Sequence, residues 1–124
     1  MRVLVVDDEE PLRKILARWV HQFGYDVTAV GSAEAAVAEM TRARADIVVT
    51  DITMPNQNGL WLIDRIREEW PQTVVIVESG ALEPATVLRT RHQGAVDFLP
   101  KPFGREMVHQ ALQRAAAHLA QSRV

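Results

Sequence analysis

The sequence predicts an α/β fold, a doubly wound parallel sheet of five strands with five helices on its two faces. Two observations predict it. Short apolar runs rich in valine and isoleucine recur along the 124 residues, and they alternate strictly with stretches whose apolar residues recur every three or four positions. Parallel neighbours need crossover connections, and right-handed crossovers place helices on either side of the sheet. The length suits one domain with a sizeable core.

Five apolar runs are the predicted strands. Four clear ones lie at residues 3–6, 47–49, 74–77 and 95–99, and a weaker one lies at 26–30. Runs of valine and isoleucine without polar alternation are typical of strands buried on both faces. The sequence therefore predicts that helices cover both faces of the sheet.

The first two helices have clear boundaries. Pro11 suits the first turn of the first helix, and Gly24 ends it. Its predicted apolar stripe is Leu12, Ile15, Leu16, Trp19, Val20 and Phe23. Ser32 is the predicted N-cap of the second helix, which runs to about Arg42. Its predicted buried residues are Ala33, Ala36, Val37 and Met40.

The last three helices are predicted from shorter signals. The third begins after Asn58 and ends before Pro71, with Leu60, Ile63, Ile66 and Trp70 on its inner side. The fourth, from about Pro84 to His92, is the least apolar, and Val87 and Leu88 are its predicted anchors. The fifth presents Val108, Ala111, Leu112, Ala115 and Leu119 at helical spacing.

Composition excludes several classes of protein. Fourteen Lys and Arg against sixteen Asp and Glu give a net charge of −2, so the basic excess of a nucleic-acid-binding domain is missing. With no cysteine, the chain has no disulfide framework, Cys-based zinc site or thiol nucleophile. The N-terminal apolar run is too short for a signal peptide or a membrane span. We expect a soluble, cytoplasmic domain without a membrane partner.

Polar side chains follow four of the predicted strands. They are Asp7 and Asp8 after the first, Asp51 after the third, Glu78 and Ser79 after the fourth, and Lys101 after the fifth. In a doubly wound sheet, ligands bind at the carboxyl ends of the strands. Each residue has an ordinary explanation alone, as a helix-end acid, a turn residue or a solvated loop residue. Their shared position at one edge predicts a site.

The residue types indicate what this site holds. Crowded carboxylates repel one another unless a cation neutralises them. Oxygen ligands without His or Cys favour Mg²⁺ or a similar ion over zinc. A lysine and a hydroxyl beside that ion suit a phosphoryl group. The four histidines show no ligand spacing, and we expect them to be structural or exposed.

The combination resembles the receiver domain of bacterial two-component response regulators. The residues that carry the resemblance are Val-Val-Asp-Asp-Glu at 5–9, Asp51 with Met54-Pro55 and Gly59-Leu60, Ser79-Gly80, and Gly94-Ala95, Phe98 and Lys101-Pro102-Phe103. It covers residues 2 to about 120. It implies the flavodoxin-like strand order 2-1-3-4-5, a receiver domain at residues 1–120, and a tail or the start of a linker at 121–124.

The resemblance also implies roles for individual residues. Asp51 would be the phosphoacceptor, taking a phosphoryl group from the phosphohistidine of a sensor histidine kinase. Mg²⁺ would be held by Asp8 directly, by Asp7 mostly through water, by Asp51 and by the backbone carbonyl of Thr53.

The remaining implied roles concern the lysine and the switch. Lys101 would pair with Asp51 and then with a phosphoryl oxygen, and its bond to Pro102 is commonly cis in this family. Ser79 would belong with Asp51 and Lys101 to the catalytic residues, and Ser79 and Phe98 would be the switch residues. Their movement would change the face made by the fourth helix, fifth strand and fifth helix, which would bind an output domain or a second copy of the chain.

Glu78 departs from the family pattern, which is usually apolar at this position. Because side chains alternate along a strand, Glu78 is predicted to point away from the site if Ser79 points toward it. A carboxylate in an apolar layer needs a partner, solvent or a proton. Arg89 or Arg91 is a conceivable partner, although these arginines could equally be solvated or contact a protein partner.

Three other functions fit less well. A phosphatase of the haloacid dehalogenase kind would need a second aspartate two residues after Asp51, where this chain has Thr53. A flavodoxin-like cofactor binder would need a phosphate loop after the first strand, where Asp7 and Asp8 would repel a phosphate. A receiver that signals without phosphorylation would not need the complete acid, hydroxyl and lysine set. We therefore expect a signalling phosphoacceptor rather than an enzyme, one that assists its own phosphorylation and dephosphorylation.

Overall fold

The computed structural model describes residues 1–54, 58–80 and 84–122, apart from the side chain of Ser122. Pro55 of the family motif and residues 123–124 of the predicted tail lie outside the described residues. Within the described ranges, every helix is too short or too polar to cross a membrane.

The structure confirms the five-stranded parallel sheet. Its strands are β1 (Arg2–Val6), β2 (Asp26–Val30), β3 (Ile47–Asp51), β4 (Val74–Ser79) and β5 (Ala95–Pro100). The strand order is β2-β1-β3-β4-β5, and all four neighbouring pairs are parallel. The order reverses at β1, so the carboxyl ends of β1 and β3 flank the switch point where ligands bind in such sheets.

Five helices connect and cover the strands. They are α1 (Glu10–Gln22), α2 (Ala33–Arg42), α3 (Gly59–Glu69), α4 (Pro84–His92) and α5 (Arg105–Ser122). Ser32 and Asn58 cap α2 and α3, each accepting a hydrogen bond from a backbone N–H three residues later. After α1, Gly24 adopts a positive φ of 95°, a conformation that favours glycine. The predicted tail begins inside a helix, because α5 continues to Ser122.

Two apolar layers enclose the sheet, and side-chain alternation assigns residues to them. One layer lies under α1 and α5 and includes Val5, Val49, Ile76 and Leu99. The other lies under α2 and α3 and includes Val6, Val48 and Val77. All five predicted inner residues of α5 are buried. The core is therefore thickest around β1, β3 and β4, the strands whose ends carry the acids.

Some predicted core residues are exposed. Leu88, a predicted anchor of α4, is 60% exposed and Val87 is half-buried, while Thr90 is fully buried. Its hydroxyl donates to the carbonyls of Thr86 and Val87 on its own helix, so a polar residue is accommodated there. Ile15, placed on the stripe of α1, is 43% exposed. Periodicity overestimated both stripes because a helix buries only the part of a stripe that meets the sheet.

Candidate functional site

Asp51 ends β3 and is almost completely buried. Its Oδ1 accepts a hydrogen bond from the N–H of Thr53 at 2.9 Å, and its Oδ2 accepts one from Lys101 Nζ at 2.9 Å. Burial raises the pKa of Asp51, and the bonds from Lys101 and Thr53 act against that rise. The carboxylate is thus held in one orientation by two donors.

Asp7 is held as firmly at the end of β1. Its N–H donates to the carbonyl of Val30, and its Oδ1 accepts from the N–H of Glu9 at 2.8 Å. Its Oδ2 is buried without a hydrogen-bond donor among the described residues and lies 3.8 Å from Lys101 Nζ. An acceptor in that position is suited to a cation.

The carboxylates of Asp7, Asp8 and Asp51 converge. One oxygen from each lies within 4.8 Å of the other two, and Asp8 is exposed where the other two are buried. Three hard oxygen donors at this spacing could hold Mg²⁺. The predicted acidic cluster is therefore present at the sheet edge.

Lys101 lies across the cleft from these acids. Besides Asp51, its Nζ lies 3.4 Å from Glu9 Oε1. The backbone N–H of Lys101 donates to the carbonyl of Ser79. The peptide bond from Lys101 to Pro102 is cis, as the resemblance implied. Burial alone would lower the pKa of Lys101, but the hydrogen bond and charge of Asp51 raise it above its ordinary value. The side chain is a permanent cation facing the carboxylate.

An open cleft of about 430 Å³ lies above Asp51. Ser79 and Thr53 line it, together with Asp8, Glu9, Gly80 and Lys101. Phe98 is half-buried on β5, packs against the layer under α2 and α3, and lies below the guanidinium of Arg91, 5.0 Å from the ring centre. The cleft is large enough for a phosphoryl group, and the aromatic residue lies outside its lining.

Gly59 brings the start of α3 against the Asp51 turn. A Cβ built on Gly59 would lie 2.3 Å from the backbone oxygen of Asp51 and 2.8 Å from the Cα of Ile52. The N–H of Gly59 donates to the carbonyl of Ile52 at 3.1 Å. Only glycine allows this approach, which explains why a glycine belongs to the motif around Asp51.

The structure corrects the placement of Glu78. Glu78 does point to the opposite face from Ser79, but Asp51 pairs with Glu78 in the register and projects from that same face. Because Val6 pairs with Thr50, Asp7 projects there as well. Asp7, Asp51 and Glu78 thus form an acidic row across β1, β3 and β4, so the prediction that Glu78 points away from the site was wrong.

Glu78 has no basic partner in this row. It is fully buried, and neither of its oxygens has a hydrogen-bond donor among the described residues, whereas Arg89 and Arg91 are exposed. Burial raises the pKa of Glu78 to about 10, and the adjacent Asp7 carboxylate adds to the rise. Since two carboxylates are both acceptors, the contact with Asp7 is favourable only when a proton lies between them.

Sequence reasoning missed the contributions of Glu9 and Glu78 to the site. Glu9 lines the cleft, and its position directly after the aspartate pair was the available signal. For Glu78 the informative feature is the pairing register of β3 and β4, which places Glu78 directly opposite Asp51. Alternation within β4 gave the correct face, but only the pairing of strands shows which neighbours share it.

The comparisons with known proteins agree with this geometry. The sequence model of the response regulator receiver domain matches residues 3–113. The transcriptional regulator FixJ of Rhizobium meliloti is 36% identical over 117 residues, which are 94% of this chain and 57% of that protein. The DNA-binding transcriptional regulator NtrC of Azospirillum brasilense is 32% identical over 113 residues, which are 91% of this chain and 24% of that protein.

Solved structures are similar over nearly the whole chain. NtrX from Brucella abortus superposes with a TM-score of 0.93 at 28% identity, covering 98% of this chain and 28% of that one. The chemotaxis protein CheY4 of Vibrio cholerae superposes with a TM-score of 0.88 at 27% identity, covering 92% and 97%. The chain spans between a quarter and three fifths of the curated relatives described above. With its fold, its acidic cleft and the family match in agreement, the chain belongs to the response regulator receiver domain family.

Proposed function

We propose that Asp51 accepts a phosphoryl group from the phosphohistidine of a sensor histidine kinase. The observation that carries the proposal is the pairing of a buried, oriented Asp51 carboxylate with Lys101 Nζ at 2.9 Å, beside two further aspartates. Receiver domains are signalling phosphoacceptors, and this chain brings a carboxylate, a lysine and an acidic cluster that could hold a metal ion to one sheet edge. We take residues 1–120 as this domain.

The nucleophile of the transfer step is the carboxylate of Asp51. A carboxylate oxygen of Asp51 forms a bond to phosphorus while the phosphorus–nitrogen bond of the phosphohistidine breaks, and its electron pair stays with the imidazole nitrogen. Charge spreads over the equatorial oxygens during the transfer. Lys101 stabilises that charge from one side of the cleft.

A divalent cation would supply the second positive charge. Asp8, Asp7, Asp51 and the carbonyl of Thr53 are the residues that would hold it. Mg²⁺ bound there would neutralise charge on the phosphoryl oxygens. The residues of the chain perform the remaining tasks: Asp51 attacks, Lys101 orients, and the Thr53 N–H fixes the carboxylate. The same cleft admits water, so the domain would also assist its own dephosphorylation.

The assignment is tested by labelling. Acetyl phosphate or a phosphorylated kinase, with Mg²⁺, is expected to add one acid-stable and base-labile phosphoryl group. Asp51→Asn is expected to abolish this labelling because an amide is a poor nucleophile. Asp26→Asn, an exposed acid at the far end of the sheet, is the control and is expected to label normally. Full-rate labelling of Asp51→Asn would refute the assignment.

The output would be a change in the face made by α4, β5 and α5. After transfer, the phosphoryl oxygens would attract the Ser79 hydroxyl. Phe98 would then move into the space that the Ser79 side chain vacates. This is a shift between two populations driven by new hydrogen bonds. The face would then bind an output domain or a second copy of the chain. With a net charge of −2, this domain itself is not proposed to bind nucleic acid.

Hydrogen exchange tests the direction of the change. Beryllofluoride, a mimic of the phosphoryl group, is expected to alter exchange in α4, β5 and α5 more than in α2. The reason is that Phe98 belongs to β5, which α4 contacts, whereas α2 contacts β1 and α3. An equal change in all five helices would indicate general stabilisation and would contradict the proposed output face.

A further inference from the structure

Arg13, in the first half of α1, binds the backbone that carries the acids. Its Nη1 donates a hydrogen bond to the carbonyl oxygen of Asp7 at 2.9 Å. The N–H and Oδ1 of Asp7 are already occupied by Val30 and Glu9. With Arg13 bound to its carbonyl, Asp7 is held at three of its four polar groups. The fourth, Oδ2, is buried and has no hydrogen-bond donor among the described residues.

Gly31, directly after β2, makes room for that guanidinium. A Cβ on Gly31 would lie 2.9 Å from Nη1 of Arg13 and 3.6 Å from its Cζ, and 4.0 Å from the carbonyl oxygen of Asp7. Gly31 does not adopt a positive φ, so its backbone conformation does not require glycine. The requirement comes from the Arg13 side chain, which is flexible and can be pushed aside.

We propose that Arg13 and Gly31 form a clamp that positions Asp7 and Asp8 for the divalent cation. Arg13 is a positioning residue in this clamp, and Gly31 supplies the space that lets it reach the Asp7 carbonyl. The inference rests on the proposed function, since it concerns the same metal site. Groups that orient ligands from outside the coordination shell commonly change metal affinity by about 10- to 100-fold.

Charge alone predicts the opposite result. A guanidinium near the acids repels a divalent cation, so deleting it without any other effect would tighten Mg²⁺ binding. The clamp predicts weaker binding, because the free loop must be ordered when the ion binds. The sign of the change in affinity therefore separates positioning from simple electrostatics.

Gly31→Ala tests the clamp without changing any charge. Arg13→Met deletes the guanidinium, and the methyl group of Gly31→Ala displaces it. Gly31→Ala is therefore expected to weaken Mg²⁺ binding as Arg13→Met does. The double variant is expected to bind Mg²⁺ no more weakly than Arg13→Met, because Gly31→Ala acts only through the arginine. Arg18→Met, an exposed arginine of the same helix, and Gly104→Ala, a glycine with open space around it, are the controls.

The experiment is a Mg²⁺ titration followed by the amide shifts of residues 7–8 and 51–53 in the full chain. Each single variant is expected to weaken binding by about 10-fold, the lower end of that range, with both controls unchanged. The metal-free proteins provide a second measurement: hydrogen exchange at the Glu9 N–H, which donates to Asp7, is expected to accelerate in both single variants. A melt of each variant shows whether it remains folded.

The outcomes distinguish the clamp from the site it serves. If the unsubstituted chain shows no Mg²⁺-dependent shifts at these amides, the proposed metal site fails and the clamp fails with it. If that chain binds and Gly31→Ala binds equally tightly with unchanged exchange at Glu9, only the clamp is overturned. The clamp is also overturned if Arg13→Met binds Mg²⁺ more tightly than the unsubstituted chain. The same holds if the fold-loss of Mg²⁺ affinity in the double variant equals the product of the two single losses.

Discussion

The two faces of the sheet carry different chemistry at the edge where the strands end. On the α1 and α5 face, β1, β3 and β4 lead into the acidic row of Asp7, Asp51 and Glu78. On the other face, Ser79 is the next side chain of β4 after Val77, and Phe98 of β5 pairs with Val77. One face thus carries the proposed nucleophile and metal ligands, and the other carries the proposed switch.

Adjacent residues of one strand serve these two purposes. Glu78 and Ser79 are neighbours in the chain, yet their side chains enter opposite layers. Ser79 is the last residue of β4, and although its side chain lies on the second face it also lines the cleft. It can therefore contact a phosphoryl group on Asp51. The difference teaches that transfer and response can be altered separately.

The largest expected effect comes from breaking the acidic row. Asp7→Asn is expected to slow Mg²⁺-dependent labelling by about 100-fold, or about 3 kcal/mol, because it removes a charged metal ligand. The same change is expected to stabilise the fold, because Asp7 is a buried carboxylate beside the buried carboxyl group of Glu78. Labelling rates and urea melts of one preparation measure both effects.

Ser79→Ala is the matched change on the opposite face. It is expected to keep labelling within about tenfold of the unsubstituted rate, since Ser79 is neither nucleophile nor metal ligand. It is expected to lose the beryllofluoride-induced change in hydrogen exchange of α4. If Ser79→Ala labels as slowly as Asp7→Asn, the separation of transfer and response between the faces is wrong.

Glu78 gives the next largest effect, on stability. Its pKa is raised to about 10 in the fold from an ordinary value of 4.5, so the folded chain holds a proton that the unfolded chain releases. The resulting destabilisation is absent below pH 4.5 and grows as pH rises toward 10. At pH 7 it reaches at most about 3 kcal/mol. Glu78→Gln, which mimics the protonated acid, is expected to remove it.

Urea melts at pH 5, 7 and 8.5 measure this effect. Glu78→Gln is expected to gain stability over the unsubstituted chain as pH rises, with little difference at pH 5, and to label normally. Glu68→Gln, an exposed acid on α3, is expected to show no such trend. A difference that is constant or shrinks with pH would show that Glu78 is ionised and has a good partner in the fold.

Periodicity and strand-end chemistry predict most of the fold and the candidate site. The runs at residues 3–6 and 74–77 locate central strands because both layers need apolar residues there. Asp51 and Lys101 are predicted to lie at one edge because parallel strands end there. Neither argument depends on side-chain detail. The resemblance to receiver domains implied that the two side chains pair, and the structure places them 2.9 Å apart.

The remaining features depend on neighbours that a single sequence does not reveal. Glu78 was assigned to an apolar layer, but strand pairing places it in an acidic row. Thr90 replaces Leu88 as the buried residue of α4 because its hydroxyl bonds within its own helix. The close neighbour of Gly31, Arg13, is eighteen positions earlier in the chain. Each case needs pairing or packing information.

The smallest expected effect concerns Phe98 on the switch face. The guanidinium of exposed Arg91 lies 5.0 Å from the ring centre, a contact that contributes about 0.5–1 kcal/mol at such sites. Because this contact stabilises the half-buried position of Phe98, inward movement of the ring must give it up. Arg91→Met is therefore expected to lower the beryllofluoride concentration that gives half of the α4 response by about two- to fivefold.

Arg89→Met, two residues earlier on the same exposed helix, is the control and is expected to leave that concentration unchanged. Labelling of both variants should stay normal, because neither arginine lines the cleft above Asp51. If Arg91→Met raises the half-response concentration instead, the arginine stabilises the inward position of Phe98, and the assignment of this contact is reversed.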